Sequence, residues 1–322
     1  MRRGVTIGWL ALLCFCAVLI GPSAWPQSAR TIRVIISVPP GGAIDTLVRV
    51  LGDQIGKTHG ATIIVESRPG AAGTIAAEAV ARAAPDGNTL LINTNGNIIS
   101  SILHKVNFDP VTSFEPVCYL VSSPQVLVVN GASPYRSLSD LVAAARAKPG
   151  ELSIATVGPN TTQHLAVERF KRLAGINLTY VPYTGGTPAI NALLGQHVTS
   201  ALQNYIEVSG QIGAGTLRAL ATAAGERIEP LPGLPTIAES GYPGFEADVW
   251  FGLVAPAKTP ADTVTQLIDW FRTALLTPEV KGKLAVQALF PNPKCGADFA
   301  AHIRRQKEEF AKVIADLNLK GQ

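Results

Sequence analysis

Cysteine is scarce in this chain, with four residues in 322. That excludes a small scaffold in which disulfides replace a hydrophobic core. Charge is sparse as well: Asp, Glu, Lys and Arg make up 16%, against 47% hydrophobic residues. Such a composition can bury sizeable cores and does not belong to the disordered class. The balance of 27 Lys+Arg over 23 Asp+Glu leaves a formal net charge of +4. No basic run or stripe concentrates that excess, so nucleic acid is not an expected partner. Aromatics are only 6%, and they are not interleaved with basic residues as in single-strand binders.

Several chemical signatures are missing too. His59, His104, His164, His197 and His302 are scattered without metal-ligand spacing, and no metal or other cofactor is expected. Gly52-x-x-x-Gly56-Lys57-Thr58 has three intervening residues where a phosphate loop needs four, and it falls inside an amphipathic helix. Gly210-Gln-Ile-Gly213-Ala-Gly215 does not fit the dinucleotide pattern. No G-x-S-x-G elbow occurs. Nothing positive points to catalysis. A spatially assembled Ser-His-Asp site leaves no local signature, so a secreted hydrolase stands as the lesser alternative.

One long apolar run is present, Val5–Ile20, flanked by Arg2-Arg3 and by Gly21-Pro22-Ser23-Ala24. A positive start, an apolar stretch and small residues after it are the parts of a secretory leader. A membrane span needs about 17–25 residues, and no second run supports a membrane protein. Residues 1–29 read as the leader, which sends the rest of the chain to an oxidising compartment. Its removal leaves a net charge of +2 and two cysteines, Cys118 and Cys295. Sequence does not place their Cβ atoms, and with 177 positions between them the reading tips against a disulfide.

From Arg30 onward short apolar runs alternate with amphipathic stretches, the pattern of an α/β layered fold. Strands are expected at Thr31–Val38, Thr62–Glu66, Thr89–Asn93, Leu152–Val157, Leu178–Pro182, Val198–Leu202, Leu217–Thr222 and Val249–Ala255. A helix is expected after Gly42, with Ile44, Leu47, Val48, Leu51 and Ile55 on one face, and another after Gly186 through Leu194; further helices are expected near residues 73–83, 138–147, 163–173, 260–276 and 299–317. The β-rich segment Pro116–Asn130 is long enough to pass between domains, and Val249–Ala255 suits the return. Length fits about two domains. The expected division is residues 30–124 plus 251–322 for the first domain and 125–250 for the second.

Three strand ends run through Gly-rich loops into helices: Pro39–Gly42, Gly158–Thr162 and Tyr183–Gly186. A helix start leaves backbone N–H groups unpaired at the positive end of the dipole, which suits a carboxylate or phosphate. Such joints are general in α/β folds, so one alone says little; two blocks facing each other at their strand ends would make a crevice. Asp45 reads equally as a favourable charge in a first helical turn or as a ligand contact. His164 reads as a structural residue.

In order and spacing, these segments resemble the Bug family, the periplasmic substrate-binding proteins of tripartite tricarboxylate transporters. The resemblance rests on Pro40-Gly41-Gly42-x-x-Asp45, Val65-Glu66-x-Arg68-Pro69-Gly70, Pro85-Asp86-Gly87, Val181-Pro182-Tyr183-x-Gly185-Gly186, Leu217-Arg218-Ala219-Leu220-Ala221 and Trp250-x-Gly252-Leu253-x-Ala255-Pro256. It implies a two-domain periplasmic-binding-protein clamshell, type II-like, with two crossing hinge strands. It implies no enzyme, a small-molecule carboxylate as ligand, and membrane permease subunits as partner. A sensor receptor in place of the permease is the alternative, and a monomer is expected. Carried over by position, the ligand contacts are Gly41, Gly42, Ala43, Asp45 and Asn95 from the first domain. From the second they are Asn160, Thr161, Thr162, Tyr183, Thr184, Gly185 and Gln203. Two departures stand out: Pro159-Asn160 where the family commonly has Gly before its Ser/Thr, and Gln203-Asn204 where it commonly has Asp-Asn. Neutral Gln203 argues for a ligand without a free amine, a dicarboxylate or an aromatic acid.

Overall fold

A computed structural model describes residues 30–158 and 161–319. The leader reading at 1–29 and the candidate contact Asn160 lie outside the described residues. The first lobe opens with β1 (Thr31–Ile36), α1 (Ala43–His59), β2 (Thr62–Ser67), a 3-10 turn at Ala71–Gly73, α2 (Thr74–Ala81), β3 (Thr89–Thr94) and α3 (Asn95–Leu103). β4 (Phe114–Ser123) then runs into β5 (Gln125–Asn130), the first strand of the second lobe. There follow α4 (Leu138–Ala147), β6 (Ser153–Val157), α5 (Thr162–Ala174), β7 (Thr179–Tyr183), α6 (Gly186–Leu194), β8 (Ser200–Asn204), α7 (Tyr205–Gly213) and β9 (Leu217–Thr222). The chain returns through β10 (Val249–Pro256) and closes with α8 (Ala261–Leu275), α9 (Pro278–Ala285), β11 (Phe290–Cys295) and α10 (Ala297–Asp316).

The strands form two sheets. One has the order β11-β4-β10-β3-β1-β2, the other β7-β6-β8-β5-β9. The chain therefore crosses between lobes twice, at Ser123–Gln125 and ahead of Val249. This is the α/β clamshell with two crossing strands that the sequence led us to expect. The local chemistry explains the elements. Ile44, Leu47, Val48, Leu51 and Ile55 recur at helical spacing and form the buried face of α1. Gly60 ends that helix in the left-handed conformation, at φ 67°. Ser137 and Asp140 make a reciprocal capping box at α4.

Each sheet is covered on both faces. In the first lobe α1, α8 and α9 pack on one side, and α2, α3 and α10 on the other. In the second, α4 and α5 face α6 and α7 across the sheet. β10 passes close under α10: a Cβ added to Gly252 would collide with the Phe299 ring. Cys118 and Cys295 are joined by a disulfide linking β4 to the edge strand β11. The sequence had tipped against this bond, and the reason it forms is register. The antiparallel pairing of β11 with β4 sets the two residues directly opposite one another.

Four elements were not anticipated. Helices α3 and α7 begin on the residue after a strand, with no intervening loop to announce them. α9 is short, and β11 carries Pro291 and Pro293, which a ladder tolerates only at a sheet edge.

Candidate functional site

Strand direction brings the loops together. β1 is parallel to β2 and β3, and β6 to β7 and β8, so each trio ends at one edge of its sheet. β10 begins beside the end of β3 (Phe251 opposite Thr94), and β5 begins beside the end of β8 (Gln125 opposite Asn204). Both crossings therefore lie at the edges where these trios end, and the loops of one lobe look across the hinge at those of the other. Moving outward, the first lobe presents the ends of β3, β1 and β2, and the second those of β8, β6 and β7. A ligand cleft in an α/β fold lies at such carboxyl ends.

The middle position of the first lobe holds Gly41, Gly42, Ala43 and Asp45. Gly41 is at φ 91°, a conformation that favours glycine. Its N–H donates to Asp45 Oδ2 at 3.0 Å, and Arg49 Nε donates to the same oxygen at 2.9 Å. Asp45 is buried, and its second oxygen has no partner. The Arg49 hydrogen bond first, then the Gly41 N–H, hold its pKa below the usual carboxylate range, against burial. Its carboxylate shapes the loop from below. Gly42 is exposed and caps α1, and Ala43 is its half-buried first residue.

The innermost position of the first lobe holds Asn95, which is buried rather than presented to the cleft. Its Oδ1 accepts from the Trp250 N–H at 2.9 Å. Its Nδ2 donates to the Asp248 carbonyl at 3.2 Å and to Gln306 Oε1 at 3.3 Å. Every hydrogen of that amide is thus committed to the second crossing or to α10.

In the second lobe Thr161 caps α5. Its hydroxyl oxygen accepts from the His164 N–H at 3.2 Å and lies 3.0 Å from the Val157 carbonyl, to which it donates. Thr162 is half-buried at the first helical position. His164 is buried and stacked on Tyr180, with ring centroids 4.3 Å apart. Burial lowers its pKa, the setting of a structural histidine. Tyr183 is half-buried at the end of β7, and its carbonyl accepts from the Gly158 N–H at 2.9 Å. Thr184 is exposed, and Gly185 caps α6. Gln203 is fully buried, with neither amide atom partnered.

Some residues beside the cleft carried no signal in the sequence. Asp248 is buried at the second crossing, and its Oδ1 has no partner. Burial, and then the charge of Glu246, push its carboxyl up to about 7, with Gln125 N–H, Ser122 and Lys294 pulling the other way. It lines a cavity of about 290 Å³ with Ser122, Arg227, Glu246 and Phe290. His302 on α10 packs edge-on against Tyr119 and Trp250. Burial lowers its pKa to about 4, with the Glu246 charge opposing and Arg305 and Lys294 assisting. A third residue, Glu207 in the first turn of α7, lies against the start of α6.

Across the hinge, Leu165 of α5 packs with Ile99 of α3 and Val313 and Ile314 of α10. Arg169 and Arg172 of α5 pair with Glu309 and Asp316 of α10.

Residues 47–319 match the model of the tripartite tricarboxylate transporter family receptor, TctC. Protein BugT of Bordetella pertussis is 34% identical over 301 residues, covering 92% of each chain. The solved periplasmic binding protein BugD is 30% identical, with a TM-score of 0.67 over 92% of this chain and all of that one. Rpa4515 of R. palustris, solved with adipate, is 31% identical, with a TM-score of 0.70 over 92% of this chain and all of that one. The chain belongs to the TctC family of tripartite tricarboxylate transporter receptors.

Proposed function

We propose that this protein is a periplasmic receptor. It captures a small carboxylate by closing its two lobes and delivers it to the membrane subunits of a tripartite tricarboxylate-type transporter. The observation that carries the reading is the set of helix starts around the hinge. α1 and α3 on one side and α5, α6 and α7 on the other all begin at the strand ends that look across the crossings. Such starts offer backbone N–H donors at the positive end of a dipole, and α1 and α5 supply them from opposite lobes, so an anion between the lobes is held from both. The adipate in the solved relative fits that chemistry. The disulfide suits an oxidising compartment.

The reading divides the chain near the crossings, with residues 30–124 and 251–322 as one closing body and 125–250 as the other, save that Val249 and Trp250 pair with β4 and move with the first. No bond is made or broken. A ligand drives closure only through its higher affinity for the closed form, and an anion that touches both lobes there but one lobe in the open form has that difference. Gly41, Gly42, Ala43, Thr161, Thr162, Tyr183, Thr184 and Gly185 stand as contacts. Asp45 and Asn95 act behind them, as positioning residues. A thermal-shift screen of mono-, di- and tricarboxylates tests the reading. A ligand at 100 times its Kd stabilises the fold by about 2.7 kcal/mol. If no carboxylate moves the midpoint while a neutral sugar or an amine does, the reading falls.

A further inference from the structure

Glu207 lies in the first turn of α7, on the wall that the second lobe turns toward the cleft. Its carboxylate rests against the first residue of α6. A Cβ built on Gly186 would collide with the Glu207 carboxylate. Of the three helix starts that the sequence marked for anions, the one at Tyr183–Gly186 therefore already has an acid beside it. That acid is poorly compensated. No basic side chain pairs with it among the described residues, and its polar neighbour is the Asn204 side chain. Burial raises its pKa, with Asn204 opposing, although an acid at a helix start ordinarily gains from the dipole.

A second observation lies in the sheet that α6 and α7 cover. Strand register sets Gln203 and Thr222 on either side of Val126. Their side chains therefore share the sheet face that α6 and α7 cover. Both are fully buried, and neither the Gln203 amide atoms nor Thr222 Oγ1 has a partner. Asn204 Oδ1 is unpartnered as well. Unsatisfied buried polar groups are costly, and these leave the sheet under α6 and α7 short of hydrogen-bond partners.

Glu207 is itself exposed, so a ligand carboxylate placed at this wall would meet it as a like charge. A hydroxyl or ammonium would instead add a donor beside the one that the Asn204 side chain supplies. We propose that Glu207 reads the far end of the ligand, so that the receptor prefers a carboxylate whose other end carries a hydrogen-bond donor over a dicarboxylate of equal length. This inference rests on the carboxylate reading above and narrows its substrate class. It also moves the basis of the choice. Neutral Gln203 had argued against an amine, but Gln203 is buried, and the acid on the wall stands four positions later.

The test is calorimetry at neutral pH with acids matched in length and differing only at the far end. Hexanoate, 6-hydroxyhexanoate, 6-aminohexanoate and adipate form one series; butyrate, 4-hydroxybutyrate, 4-aminobutyrate and succinate form the other. A hydroxyl- or ammonium-ended acid should bind roughly tenfold or more tightly than its dicarboxylate, the scale of one hydrogen bond to a charged group. Glu207→Gln should remove most of that preference and improve dicarboxylate binding. Glu207→Asp, which keeps the charge on a shorter stem, should retain part of it. Thermal midpoints confirm that the variants are folded. A dicarboxylate preference that Glu207→Gln leaves unchanged overturns the inference while the carboxylate reading stands. Folded protein that binds none of these acids sinks the carboxylate reading, and this inference with it.

Discussion

Asn95 Oδ1 accepts a hydrogen bond from the backbone N–H of Trp250, 155 positions away, at 2.9 Å. The first residue of α3 thereby grips the start of the return strand β10, and its Nδ2 holds the Asp248 carbonyl and Gln306 at the same time. In Asn95→Ala the Trp250 N–H is left buried and unpaired. The expected loss is about 1–3 kcal/mol in denaturant unfolding, the cost of an orphaned buried donor. Were Asn95 a ligand contact instead, the same variant would keep its unfolding midpoint and lose affinity.

Asp248 and His302 impose opposite pH dependences on stability. The folded Asp248 carboxyl titrates near 7, against 3.8 in a free chain. Between those values the folded state holds a proton that the unfolded state has released, so stability falls as pH rises. His302 titrates near 4 when folded, against 6.5 unfolded. Over that window the unfolded state binds the extra proton, so stability rises with pH. The two slopes oppose one another in the wild type. Relative to it, Asp248→Asn should tilt the curve upward with pH from about 4 to 7, and His302→Gln should tilt it downward from about 4 to 6.5. Urea midpoints across that range decide the matter, and parallel curves for all three proteins would refute it.

Much of this geometry was legible in the chain, because periodicity reports burial and most elements here bury a regular face. The face of α1 follows from Ile44, Leu47, Val48, Leu51 and Ile55, and the loops at Pro39–Gly42 and Tyr183–Gly186 follow from their glycines. What escaped depends on partners distant in sequence. Asn95 looks like a loop residue until Trp250 and Gln306 are set beside it. Gln203 looks available until the sheet register shows which face it takes. Glu207 sits three residues past the end of β8, in a short helix that carries Gly210, so neither pattern nor turn chemistry marked it. The disulfide is the plainest case, since only the pairing of β11 with β4 brings Cys118 and Cys295 together.

That disulfide ties the edge strand and the last helix to the body of the first lobe. The bond closes a span of 177 positions. A cross-link over so long a loop restricts the unfolded chain strongly, and losing a native disulfide commonly costs about 2–5 kcal/mol. Cys118→Ser, with its buried hydroxyl, or treatment with a reductant under mild denaturation should lower the thermal midpoint by several degrees. An unchanged midpoint in fully reduced protein would show that the β-ladder alone holds β11.

The contact between lobes on the α5 side combines two kinds of interaction, and magnitudes decide between them. Leu165 is fully buried among Ile99, Val313 and Ile314. Arg172 pairs with Asp316 at the surface, where both side chains remain more than a third exposed. Solvent-exposed pairs are worth about 0–1 kcal/mol, whereas truncating a buried leucine costs about 2–5 kcal/mol. Leu165→Ala should therefore destabilise the protein markedly, and Arg172→Ala hardly at all. Arg169 is the intermediate case. It donates to the Gly244 and Glu246 carbonyls as well as pairing with Glu309, so its loss removes hydrogen bonds along with charge. If the two lobes are held here by apolar packing, high salt should weaken Arg172–Asp316 and leave the unfolding midpoint of the Leu165→Ala protein below wild type by an undiminished margin. A margin that vanishes in high salt would mean that the ion pairs, rather than Leu165, join the lobes.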